Sequence, residues 1–193
     1  AIQSYFESEK PISAKGKFAL GKSLLARGDR AGAERLIRDA WRSDPISGDT
    51  ESMAIDMFGA LITPGDHKAR MDMLLYGSDS DAALRSAKRL GGAQMALARA
   101  RIGVTKKASN ANALLAAVPS ELHSDPGYIF SRIQQLRREE KFGEAARLMI
   151  AAPREPQRLH NLDEWWIERR LTARKLLDVG EHRSAYLVAR DAA

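Results

Sequence analysis

Apolar residues recur along this chain at intervals of three and four, in runs broken by glycine, proline and aspartate. That is the spacing of helices with one buried face, and no run alternates with the period of two that strands require. The runs predict helices over Ala14–Arg27, Ala31–Trp41, Thr50–Ile62, Asp66–Leu75, Ser80–Leu90, Ala93–Ile102, Asn110–Val118, Pro126–Glu139 and Phe142–Ala151. Gly28-Asp29, Asp44-Pro45, Pro64-Gly65, Tyr76-Gly77 and Gly91-Gly92 stand at the breaks. Ala1 to about Lys10 reads as the end of an earlier helix, cut off by Pro11.

The last two helices carry the plainest signals. Asp163 and Glu164 put negative charge on a first turn, Arg174 and Lys175 put positive charge on a last turn, and Gly180 supplies a left-handed cap. Between them Leu162, Trp166, Ala173 and Leu177 mark one face, with Ile167 and Leu171 roughly opposite, so this helix is expected to have neighbours on two sides. After Gly180 a second helix spans Glu181–Ala189.

This helix–turn–helix unit repeats. With Ala33, Ala111, Ala145 and Ala185 as a common origin, Leu24, Ile102, Leu136 and Leu176 stand nine residues before it. Leu36, Leu114, Leu148 and Val188 stand three after, and Ile37, Leu115, Met149 and Ala189 four after. Ala40, Val118, Ala152 and Ala192 stand seven after. A small residue at the origin lets two helices approach closely. Ala111 and Ala145 lie 34 residues apart, the tetratricopeptide period. A weaker copy centres on Arg70, with Leu61, Met73 and Leu74 in place, while the helix near 80–90 has no partner in this scheme. The expected fold is all-α: one helical-repeat domain over 1–193, a right-handed α-superhelix of tetratricopeptide-like helix pairs that stack on their neighbours. The tetratricopeptide consensus itself is missing from the first helix of every unit. The chain begins at Ala1 and ends without a polar capping element, so it is expected to be a piece of a longer protein.

Composition adds limits. Hydrophobic residues make up 44% and aromatics 6% of 193 residues, a helix-forming mixture with enough apolar mass for a sizeable core. The net charge of +6 permits a polyanionic partner, but acidic and basic residues alternate throughout, as on solvated helix faces. Basic residues are not interleaved with exposed aromatics, so no nucleic acid is expected. With no cysteine, disulfides and thiolate chemistry are excluded, and no apolar run is long enough for a transmembrane segment. The four histidines, His67, His123, His160 and His182, are scattered, so no metal site or cofactor is expected. The carboxylate pairs Glu139-Glu140, Asp163-Glu164 and Glu7 near Glu9 sit at helix ends and turns, where solvation keeps them ionised; no catalytic residue is assigned. Trp165-Trp166 reads either as a platform for a sugar ring or as a wedge between helices. Glu168, Arg169 and Arg170 read either as a polyanion contact or as salt links to adjacent repeats.

One ordered set of segments carries a resemblance. It runs Arg70-Met71-Asp72-Met73-Leu74-Leu75-Tyr76-Gly77, Ala98-Arg99-Ala100-Arg101-Ile102, Ala116-Ala117-Val118-Pro119 and Asp125-Pro126-Gly127. It continues through Trp165-Trp166-Ile167-Glu168-Arg169-Arg170, Ala173-Arg174-Lys175-Leu176-Leu177-Asp178-Val179-Gly180 and Ala185-Tyr186. From about Ala19 onward the chain resembles the N-terminal superhelical domain of soluble lytic murein transglycosylases. The resemblance implies a periplasmic bacterial protein whose parent enzyme cleaves peptidoglycan between N-acetylmuramic acid and N-acetylglucosamine, leaving 1,6-anhydro ends. It implies a lysozyme-like catalytic domain in cis, carrying a Glu-Ser signature followed by a Gly-Leu-Met-Gln block. Here Glu-Ser occurs at Glu7-Ser8 and Glu51-Ser52 without that block. The expectation is therefore a non-catalytic scaffold that meets peptidoglycan through the full-length enzyme and is inactive alone. The alternative is a tetratricopeptide-like adaptor for a peptide or protein partner.

Overall fold

The structure, a computed structural model, describes residues 10–77 and 79–190. Among the described residues it is helical throughout, with no strand. The helices are α1 (Ala14–Ala26), α2 (Arg30–Ser43), α3 (Gly48–Phe58), α4 (Pro64–Tyr76), α5 (Ser80–Leu90) and α6 (Gly92–Thr105). They continue with α7 (Ala111–Ala116), α8 (Pro126–Arg138), α9 (Phe142–Ala151), α10 (Leu162–Asp178) and α11 (His182–Arg190). The chain divides into two compact units, Ala1–Met73 and Leu74–Ala193, with the division inside α4. The helix expected over 1–10 and the origin-plus-seven position Ala192 lie outside the described residues.

In the first unit, local chemistry sets the helix starts. Ser13, Asp29 and Ser47 accept hydrogen bonds from the backbone N–H groups of Gly16, Gly32 and Thr50. α4 opens with a reciprocal cap: Asp66 N–H donates to Thr63 Oγ1 at 3.3 Å, and Thr63 N–H donates to Asp66 Oδ2 at 2.7 Å. α1 and α2 form a hairpin that buries Phe18, Ile37 and Trp41, with Phe58 of α3 stacked on Phe18 at 5.8 Å. Gly21 permits the close approach, since a Cβ there would lie 2.9 Å from Ile37 Cγ1. Arg70 is fully buried. It occupies the weaker repeat's origin, where the other units have alanine, and donates to the Trp41 carbonyl at 3.1 Å near the end of α2. There its charge favours the negative end of the helix dipole.

In the second unit α5 packs on α6, which supplies the partner that the repeat scheme lacked for the helix near 80–90. α8 packs on α6 and α9, and α9 packs in turn on α10 and α11. The core of this stack includes Ile133, Leu136, Met149, Trp165, Leu176 and Val188. All four origin alanines, Ala33, Ala111, Ala145 and Ala185, are buried. Four residues on, Ile37, Leu115 and Met149 are fully buried, but in the last unit Val188 is buried and Ala189 exposed. The register expected there is therefore one residue out.

Four of the hairpin turns share one backbone motif. At Gly28, Lys107, Glu140 and Gly180 φ is 85°, 53°, 60° and 82°. In each, the N–H of the next residue reaches back to the carbonyl five residues before it, four before the left-handed one: Asp29 to Leu24, Ala108 to Gly103, Lys141 to Leu136, and Glu181 to Leu176. These are Schellman caps. Two carry glycine, while Lys107 and Glu140 hold side chains in the left-handed region, which costs roughly 1–2 kcal/mol. Lys107→Gly and Glu140→Gly should each raise stability by up to about 1 kcal/mol, because glycine's greater unfolded-state entropy offsets part of the relief. A urea midpoint that falls in both variants would show that these turns are not left-handed.

Candidate functional site

Asn161 starts α10 by accepting from the Glu164 N–H at 3.2 Å, so Asp163 and Glu164 occupy the first turn as expected. The helix then turns a different face to the core from the one the apolar stripe indicates. Trp165, Glu168, Arg169, Thr172, Ala173 and Leu176 are buried. Leu162, Trp166 and Leu177 are 40%, 46% and 51% exposed, and Ile167 on the far side is 38% exposed. The expected face is corrected by about a quarter turn, sharing only Ala173 with the buried one.

The tryptophan pair therefore splits. Trp165 is the wedge between helices, 5.1 Å from the Phe130 ring, with its indole N–H donating to the Tyr76 hydroxyl at 3.1 Å. Trp166 and Arg170 are exposed. Glu168 lies in the interior, where the Arg137 guanidinium of α8 grips both carboxylate oxygens, Nη2 to Oε2 at 3.1 Å. Arg169 is buried and donates to the Val188 carbonyl of α11 at 3.2 Å. Of the five proposed contact residues, three are internal: a glycan or polyanion would meet only Trp166 and Arg170. The charged residues are also less uniformly solvated than the alternating pattern implies, since Glu51, Asp66, Asp72, Arg70 and Arg101 are buried too. Arg101 lies 4.9 Å from the Tyr76 ring centroid and fills the space where a Cβ on Gly127 would fall. This accounts for glycine after Asp125-Pro126, with Asp125 accepting from the Gly127 N–H at 2.8 Å.

A concave surface that the sequence reading did not assemble lies on the outer side of α8 and α9. It is a groove of about 430 Å³ lined by His123, Tyr128, Arg132, Glu144 and Arg147 among others. His123 and Tyr128 stack face to face, centroids 4.5 Å apart and planes 4° from parallel. The His123 Nε2–H donates to the Val118 carbonyl at 3.0 Å, which fixes the ring. Arg132 and Arg147 have no carboxylate partner among the described residues. Beyond Arg147 a second hollow reaches Glu140, Phe142 and Glu181. The arrangement suits an extended ligand with a flat or ring-shaped apolar face and free anionic groups. One sequence signal pointed here: Tyr128, Arg132 and Leu136 recur every four residues along α8 and all line the groove, Leu136 from the core that it shares with Ile133.

Of the paired carboxylates, Glu139 is charge-compensated, and Asp163 and Glu164 lie in the first turn of α10. Lys141 foremost, then Gln135 and Asn112, hold the Glu139 carboxyl down at about 2. Its folded pKa is depressed, so its stabilisation is present above the ordinary value of 4.5 and lost as pH falls towards 2. Glu139→Gln should flatten the pH dependence of the urea midpoint across that window; an unchanged slope would mean that these hydrogen bonds do not persist in solution. Burial pushes the Asp66 carboxyl up, but hydrogen bonds from Thr63 and the Arg42 guanidinium bring it net below the usual range. Glu7 and Glu9 lie outside the described residues. Among the described residues no cluster of three His, Asp or Glu side chains is placed to hold a metal ion, and no helix is long and apolar enough to cross a membrane.

No protein-family model, curated protein or solved structure matches this chain.

Proposed function

We propose that this chain is the non-catalytic superhelical scaffold of a periplasmic lytic transglycosylase, holding peptidoglycan for a lysozyme-like domain of the same protein. On this reading the helical hairpins are tetratricopeptide-like and continue as a right-handed superhelix. The observation that carries it is the groove on α8 and α9. Its stacked His123–Tyr128 pair offers a face for a sugar ring, and Arg132 and Arg147, without a carboxylate partner among the described residues, offer guanidinium groups to stem-peptide carboxylates. The order of the Trp-Trp-x-Glu-Arg-Arg and Ala-Arg-x-Leu-Leu segments supports the same reading. Glycosidic cleavage needs a carboxyl that can donate a proton in a substrate-sized cleft. Glu139, Asp66 and Glu155 are instead all held below the usual carboxylate range, and Glu168 is locked to Arg137.

The purified chain should sediment with murein sacculi at low salt and release from them as salt rises, since exposed charges are screened within about 10 Å at 0.1 M. Arg132→Ala/Arg147→Ala should abolish most of that binding while leaving circular dichroism unchanged. No anhydro-muropeptides should appear by mass spectrometry. Failure to sediment at low salt, or products abolished by mutating one of the chain's own glutamates, would overturn the proposal.

A further inference from the structure

The first unit carries a groove that the murein reading does not use. α1 and α3 part over a floor made by Phe18, Phe58, Met53 and Met57, enclosing about 310 Å³. Met53 and Met57 are 38% and 42% exposed, one turn apart on α3. Soluble surfaces seldom leave unbranched thioethers open in a row beside aromatic rings, and such surfaces adapt to the apolar face of a partner. On the α1 side stand Lys15 and Lys22, both exposed and lining the same groove. Neither has a carboxylate partner among the described residues. They are seven residues apart, two helical turns or about 10 Å along the axis. Asp49 and Asp56 of α3 do not line the groove; both are exposed, seven residues apart, and the helical period sets them next to Met53 and Met57, on the side away from the groove-lining Thr50 and Phe58. The groove therefore has an apolar floor, a basic edge and, beyond the methionines, an acidic edge, and the charges on the two edges recur with one helical period.

We infer that this groove docks an amphipathic helix of a partner protein, with an apolar stripe at i, i+3/i+4 and i+7, carboxylates along one flank and ammonium or guanidinium groups along the other. The stripe covers Met53, Met57 and the two phenylalanines. The acidic flank meets Lys15 and Lys22, and the basic flank meets Asp49 and Asp56. Opposite edges also fix the helix direction, because a reversed helix would place like charges together. The inference rests on unit-one geometry alone and stands or falls separately from murein binding.

The test uses the intact chain and three fluorescein-labelled helical peptides of about 15 residues sharing one leucine stripe. One bears Glu on one flank and Lys on the other; the second bears Glu on both; the third bears Lys on both. Fluorescence anisotropy should show saturable binding of the mixed peptide, with the other two about tenfold weaker. In Lys15→Glu/Lys22→Glu both edges are acidic, so the all-Lys peptide should become the tightest of the three. Met53→Ser/Met57→Ser should weaken all three; both side chains are partly exposed, and the lysine pair decides the matter if that variant does not fold. Absence of binding, an order of affinities that ignores the charge reversal, or binding that appears only after residues 1–9 are removed would each overturn the inference, the last by making that segment the occupant. A dimer of the free chain that the peptide dissociates would overturn it in favour of a second copy.

Discussion

Replacing Trp165 by alanine will lower stability by about 3–5 kcal/mol, while the same change at the adjacent Trp166 will cost about 1 kcal/mol or less. The contrast follows from where one residue of helical rotation places each ring. Trp165 is 2% exposed, packs on Phe130 in the core of the second unit and gives its indole N–H to Tyr76. Truncation removes that apolar burial, leaves a cavity among residues from α4, α8 and α10, and strips the Tyr76 hydroxyl of its donor. Trp166 keeps nearly half its surface in water, so alanine there loses little burial. Urea denaturation followed by far-ultraviolet circular dichroism reads both variants. Equal losses at the two positions would mean that α10 is rotated from the placement described. Trp166→Ala also separates structure from binding, since weakened murein binding in a fully stable variant would make the exposed ring part of the ligand surface.

Glu168→Ala will cost a further 3–5 kcal/mol by a different mechanism. Glu168 is 2% exposed and the Arg137 side chain 18%, and the carboxylate takes two hydrogen bonds from one guanidinium. Removing the acid leaves the arginine desolvated without its counter-ion, and the penalty is mostly that of the stranded charge. Replacing both partners by apolar residues of similar size, as in Arg137→Met/Glu168→Leu, should therefore recover most of the loss. A double-mutant cycle measures the coupling, and strict additivity of the two single changes would show that the pair is not formed in solution. The same experiment distinguishes an internal strut from a glycan contact, because a residue that bound ligand at the surface would change affinity with little effect on stability.

Much of the architecture is legible in the sequence, because it depends on interactions within a few residues. Ser13, Asp29 and Asp79 cap helices where the sequence places polar residues before apolar runs, and Gly28 and Gly180 take the left-handed conformation their turns require. The four origin alanines are all buried, so their recurrence along the chain was informative on its own. Other features were settled only by contacts between distant residues. Hydrophobicity favoured Leu162, Trp166 and Leu177 as the inner face of α10, yet the helix buries Glu168 and Arg169. Arg137, 31 residues away, and the Val188 carbonyl, 19 residues on, supply what those charges lose from water. Arg70 fills the position of a small residue for the same reason, with the end of α2 as its acceptor. The groove of His123, Tyr128, Arg132 and Arg147 likewise exists only once α8 and α9 are packed together. Caps and turns are local and can be read along the chain, whereas the cost of burying a charge depends on a partner that only the folded chain brings near.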